Sequence, residues 1–193
     1  MWIASIPPED ATGLLRELYD EDERELGHVA THTLVFALHP EVFDRSRLVT
    51  RELRLKMPPR RYELIQLAVS LALQTPACSV VHGALLRRRE FGADELRSIL
   101  ADYRSAELEP SEVAIMSYAQ KISGAERAER EDIETLRHHG LSDVEILDIT
   151  LAAAARNFFA RIFNALGVEP EPAYLEGLED DLATTLVAGG GQT

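Results

Sequence analysis

Apolar residues recur along this chain every three or four positions, and no stretch alternates apolar and polar side chains as a strand would. The period predicts helices throughout. The first, "PPEDATGLLRELYDEDERELG", opens with prolines and acids, carries Leu14, Leu15, Leu18 and Tyr19 as its apolar stripe, and stops at Gly27. A segment "THTLVFALH" precedes Pro40, and "EVFDRSRLVTRELRL" follows it as another helix. "PPRRYELIQLAVSLALQ" is nearly all apolar after Glu63, the pattern of a buried helix. "PACSVVHGALLRRREFG" ends at Gly92, and "DELRSILADY" starts at Ala93 or Asp94.

The second half repeats this plan. "EPSEVAIMSYAQKISG" reads as a helix capped by Ser111 and stopped at Gly124, and "EREDIETLRHHG" ends on two histidines and a glycine. "LSDVEILDITLAAAARNFFARIFNALG" starts at Ser142, with Glu145 completing a capping box. The expected fold is all-α, a compact bundle of about eight helices. In each half a polar-capped helix precedes a very apolar one, as an old duplication of a helical unit would leave it, with a seam near residues 105 to 110. Residues 1–180 are expected to form a single all-helical domain. Residues 181–193 then form a C-terminal segment whose end, "VAGGGQT", is expected to be flexible.

Composition narrows the function classes. With 193 residues and 46% apolar side chains, the chain can bury a core without covalent staples. Twenty Lys and Arg stand against 33 Asp and Glu, a formal net charge of −13, so phosphate backbones and anionic membranes repel it at long range. The basic run Arg87-Arg88-Arg89 falls where a helix ends and complements its dipole. A lone cysteine rules out an internal disulfide framework. The N-terminus has no basic leader, and no apolar run approaches the roughly 20 residues of a membrane span. These features lead to the expectation of a soluble cytoplasmic protein that binds neither nucleic acid nor membrane.

Candidate chemistry centres on "QTPACSVVHG". Thr75 suits an N-cap and Pro76 the first helical position, which puts Cys78 third. A thiol there faces unpaired backbone N–H groups and the positive end of the dipole, both of which lower its pKa. His82 lies one turn on, on the same face, placed to take the thiol proton or to stabilise the thiolate. The competing reading is a small buried side chain beside an unrelated histidine. His28 and His32 share a helical face, with His39 nearby, but no acid or third ligand accompanies them, so surface or core roles are expected and no metal site. His138 and His139, at a helix end, complement the dipole. Asn157, Arg161 and Asn164 form a polar stripe in an apolar helix, expected to act as a structural hydrogen-bond network; the alternative is the lining of an interface or of a cavity near Cys78.

These residues resemble the motif of the alkyl hydroperoxidase D-like and carboxymuconolactone decarboxylase-like superfamily: Glu, eleven residues, Cys, two residues, Cys, three residues, His. Glu63, Thr75, Cys78 and His82 occupy those four positions, with the first cysteine replaced by Thr75. The flanking "RYELIQLAVS" and "HGALL" are also similar, and "WIASIPPEDATGLLRELYD" extends the resemblance to the peroxidase-related branch. The resemblance implies Cys78 as nucleophile towards a hydroperoxide, His82 as its proton partner and Glu63 as relay carboxylate. With the resolving thiol lost at Thr75, recovery needs an outside thiol. The resemblance further implies a homo-oligomer, an antioxidant oxidoreductase role and no cofactor. The alternatives are a non-catalytic oligomeric scaffold or small-molecule binder, or a decarboxylase-type acid–base enzyme. A helix running unbroken from Glu63 to the turn before Cys78 would hold that carboxylate about 15 Å back, so a simple hairpin is not expected to join the two.

Overall fold

The computed structural model describes residues 1–189; residues 190–193, the end of the glycine-rich tail for which the sequence suggests flexibility, lie outside the described residues. After a 3-10 turn at Pro8–Asp10 come eleven α-helices: α1 (Gly13–Leu26), α2 (Thr31–Val35), α3 (Pro40–Lys56), α4 (Pro59–Ala72), α5 (Pro76–Arg89), α6 (Ala93–Asp102), α7 (Pro110–Ser123), α8 (Arg130–His138), α9 (Asp143–Ala165), α10 (Pro172–Leu175) and α11 (Asp180–Val187). No strand occurs among the described residues. The eight helices read from apolar periodicity are α1 and α3 to α9. The short α2, α10 and α11 supplement them.

α4 is the centre of the bundle, packed against α5, α7 and α9. Every residue from 62 to 70 is buried, polar ones included. Leu64, Ile65, Leu67 and Val69 supply its apolar contact, each worth about 1.5–3 kcal/mol over an exposed position. α11 closes over α5, burying Leu182 and Leu186. It comes so close at Gly83 that a Cβ there would lie 2.5 Å from the Leu186 side chain, so only glycine fits without a shift.

Capping chemistry explains where the sequence pattern holds and where it slips. α1 stops at Gly27, in the left-handed conformation at φ 82. It starts later than "PPED" suggests, because Ala11 and Thr12 are extended and separate the proline turn from the helix. Ser142 caps α9 as expected: its hydroxyl accepts the Glu145 N–H, and Glu145 accepts the Ser142 N–H at 2.9 Å. For α7 the cap is Glu109, not Ser111. Pro110 takes the first helical position, and the Glu112 carboxylate accepts the Glu109 N–H at 3.2 Å.

α4 and α5 form a hairpin through a three-residue turn, residues 73–75. Gln74 adopts φ 49, the Thr75 N–H donates to Ser70 O at 3.0 Å, and Asn164 of α9 donates from Nδ2 to Leu73 O at 2.8 Å. Thr75, Pro76 and Cys78 take the N-cap, first and third positions of α5. The Thr75 side chain, however, makes no cap bond, its hydroxyl turning to Leu73 O at 3.5 Å. At the far end, Arg87 pairs with Glu179 at 2.7 Å and Arg88 donates to the Ala173 and Glu176 carbonyls, so the basic run also ties α5 to the C-terminal elements.

Candidate active site

A cavity of about 350 Å³ opens between α3, α4, α5, α9 and α10. Cys78, His82 and Glu63 all line it, and Phe43, Tyr62, Phe159, Phe163 and Tyr174 give it an aromatic wall. Cys78 is 2% exposed, His82 5% and Glu63 2%. The hairpin settles how these residues meet. Glu63 lies nine residues before the end of α4 and His82 six after the start of α5, similar depths of about 14 and 9 Å at 1.5 Å per residue. Glu63 Oε2 and His82 Nδ1 are accordingly 2.6 Å apart. Glu63 thus reaches His82, and His82 stands one helical turn from Cys78. Thr75 is buried at 1% exposure and does not line the cavity.

Ionisation follows from burial and neighbours. Burial pushes the His82 pKa down, and the positive charge of Arg156 adds to this; the hydrogen bond to Glu63 opposes both without reversing them. Burial disfavours the Glu63 carboxylate, but the His82 hydrogen bond and the nearby charges of Arg54 and Arg156 oppose it and leave its pKa low. The pair is therefore a neutral imidazole on an ionised carboxylate, so the proton sits on Nδ1 and the Nε2 lone pair is left as an acceptor. For Cys78 the structure corrects the expectation of a lowered pKa. Burial raises it, and the charge and hydrogen bond of Arg156 recover only part of the shift.

Three residues escaped the sequence reading. Arg156 Nη1 lies 3.4 Å from Cys78 Sγ, and its Nε donates to Gln66 Oε1 at 2.7 Å. Gln66, 1% exposed, also reaches the Ala152 carbonyl at 3.4 Å, which fixes the guanidinium over the sulfur. Arg54 Nη2 approaches the other Glu63 oxygen, Oε1, at 3.3 Å. The signal was present: Arg156 is the one cation in "ITLAAAARNFF", and Gln66 interrupts "LIQLAVS".

The other candidates fall elsewhere or do other work. His28 precedes α2 rather than sharing a helical face with His32, and its Nε2 meets Glu171, the acid that sequence proximity concealed. His32 lines the cavity, its ring 5.4 Å from that of Phe43. His39 caps α3, and His138 and His139 end α8. Among the described residues, no group of three or more His, Cys, Asp and Glu side chains could hold a metal ion. Asn157 bonds Ser123 Oγ at 2.9 Å and Asn164 bonds the α4–α5 turn, which bears out a structural network for these two, while Arg161 is exposed.

Comparison with known proteins gives one family match and several structural neighbours. Residues 40–121 match the Carboxymuconolactone decarboxylase family, a span that contains Glu63, Thr75, Cys78 and His82. No curated protein matches the chain. Among solved structures, an alkylhydroperoxidase AhpD core, an uncharacterized peroxidase-related protein from Ralstonia eutropha JMP134, is 27% identical, with a TM-score of 0.76 over 89% of this chain and 95% of its own. An uncharacterized peroxidase-related protein from Silicibacter sp. TM1040 is 24% identical, with a TM-score of 0.77 over 89% and 92%. The debrominase Bmp8, in complex with 2,3,4-tribromopyrrole, shares the fold at 16% identity, with a TM-score of 0.77 over 93% and 98%. Among the described residues, no helix is long and apolar enough to cross a membrane.

Proposed function

Since the chain belongs to the alkyl hydroperoxidase D-like and carboxymuconolactone decarboxylase-like superfamily, we propose that it reduces hydroperoxides through Cys78 and is returned to its thiol form by an outside thiol. The observation that carries this reading is the Glu63–His82 pair at 2.6 Å, in the wall of the cavity that Cys78 lines. A thiol with a raised pKa rests protonated, so it needs a base at the moment of attack. Neutral His82, oriented by Glu63 and one helical turn from the sulfur, supplies one through an intervening water. Arg156 then faces the sulfur as negative charge develops on it.

The sulfur attacks the distal peroxide oxygen and the O–O bond breaks. The alcohol leaves with the proton that His82 had taken, and Cys78, oxidised by two electrons, becomes a sulfenic acid. Thr75 offers no resolving thiol. An outside thiol therefore condenses with the sulfenic acid, releasing water, and a second one displaces the mixed disulfide to restore Cys78. Hydrogen peroxide or cumene hydroperoxide is expected to add one oxygen to Cys78, trapped by dimedone and reversed by added glutathione or dithiothreitol. Cys78→Ser is expected to abolish the adduct. No oxygen addition by mass spectrometry at excess peroxide would overturn the reading in favour of a ligand-binding scaffold or a decarboxylase-type enzyme.

We also propose that the protein is a homo-oligomer. Val144, Leu147, Leu151 and Phe158, spaced along one face of α9, are 69, 56, 43 and 44% exposed, a stripe that a second copy would cover.

A further inference from the structure

The cavity around Cys78 is charged against the trend of the molecule. The chain carries 33 acids and 20 Lys and Arg, yet four arginines line this cavity, Arg47, Arg51, Arg54 and Arg156, against two carboxylates, Glu63 and Glu171. Both carboxylates are already engaged, Glu63 by His82 and Arg54, Glu171 by His28 and by the Thr31 N–H at 3.3 Å. Arg47 answers Glu21 at 2.6 Å and Asp44 at 3.1 Å. Arg156 is committed to Gln66 and to the sulfur. Arg51 makes no ion pair or side-chain hydrogen bond among the described residues. It is an exposed cation on the cavity wall with nothing to neutralise it.

Position on α3 explains the clustering. Arg47, Arg51 and Arg54 fall at i, i+4 and i+7, one face of the helix, with Thr50 beside them on the same cavity wall. Phe159 and Phe163 of α9 and Tyr174 of α10 supply apolar surface to the same lining. A ligand therefore meets both cations and aromatic rings in one cavity, with Phe43 on α3 beside the arginines and Arg156 on α9 beside Phe159. The volume, about 350 Å³, is at the small end of the roughly 300–1,000 Å³ typical of organic-ligand sites.

We infer that the compound this cavity admits to Cys78 is an organic acid with an apolar body, its carboxylate received by Arg51 beside Arg54 and its body by Phe159, Phe163 and Tyr174. For the reacting group, a hydroperoxide borne on that body, the inference rests on the proposed peroxidase reading; for binding it does not. Guanidinium receives carboxylate through paired, charge-assisted hydrogen bonds, and this cationic rim attracts an anionic ligand although the chain carries a net charge of −13. Arg51 is thus a specificity residue rather than part of the acid–base machinery.

Titration calorimetry of the reduced full-length protein with octanoate and with 1-octanol tests this without any peroxide. Octanoate is expected to bind about tenfold more tightly than 1-octanol at low salt, to lose most of that margin in 0.5 M salt, and to protect Cys78 from N-ethylmaleimide. Arg51→Gln is expected to remove most of the margin and Arg51→Lys to keep part of it. Arg51 is exposed and unpaired, so neither substitution threatens the fold. Equal binding of the acid and the alcohol, or an octanoate preference untouched by Arg51→Gln, overturns the inference. A protein that prefers octanoate yet takes up no oxygen from hydroperoxides keeps the inference and loses the peroxidase reading. One oxidised by cumene hydroperoxide that shows no preference for octanoate does the reverse.

Discussion

At the sulfur of Cys78, desolvation and a guanidinium pull in opposite directions. Burial favours the thiol, Arg156 favours the thiolate, and burial wins, so the thiol is quiet until a base removes its proton. Alkylation of Cys78 is therefore expected to be slow near neutral pH and to rise as the pH climbs through the raised pKa. Arg156→Gln is expected to slow it roughly tenfold at pH 8, while Arg156→Lys restores part of the rate. An unchanged pH profile in Arg156→Gln would remove the guanidinium from thiolate stabilisation. Spacing on one helix was enough to bring Cys78 and His82 forward, and the family resemblance brought Glu63, which helix length alone set apart from the thiol. It was silent on Arg156 and Gln66, because their meeting depends on how α9 crosses α4. It also misjudged the thiol, since position at a helix start is visible in a sequence and depth of burial is not.

The α4–α5 hairpin is the element that makes the site, and its turn carries the one departure from the family motif. Because Thr75 makes no cap bond, Thr75→Cys forfeits none of the roughly 1 kcal/mol that a capping hydroxyl contributes. Thr75 stands at the N-cap, separated from Cys78 by Pro76 and Ala77, the Cys-X-X-Cys spacing at which a disulfide forms. After peroxide the variant is expected to lose two hydrogens by mass and to turn over with a dithiol reductant faster than the parent. Two free thiols in a folded, oxidised variant would show that positions 75 and 78 are not within bonding reach. Among the helices, periodicity marked all eight long ones. Prolines misplaced the start of α1 and the cap of α7, because a proline at a helical first position and one in a separate turn read alike. α2 and α10 are too short, at 5 and 4 residues, to show a period at all.

For the whole molecule, the exposed stripe on α9 gives the sharpest expectation. Light scattering at micromolar concentration is expected to return a multiple of 21.5 kDa, and Leu147→Lys combined with Leu151→Glu to shift it towards the single-chain mass. A parent protein at 21.5 kDa would remove the stripe from any role in assembly. The all-α architecture was legible because core positions repeat with the helical period; a surface patch is not, because exposure depends on which faces neighbouring helices leave uncovered. The separation of Cys78 from Arg156 by 78 residues also orders events during synthesis. A ribosome adding about 5–20 residues per second delivers the guanidinium roughly 4–16 s after the cysteine. Through that interval the nascent hairpin has its thiol, its imidazole and its carboxylate but not the cation that favours the thiolate, so the sulfur gains its charged neighbour only as the last long helix is made.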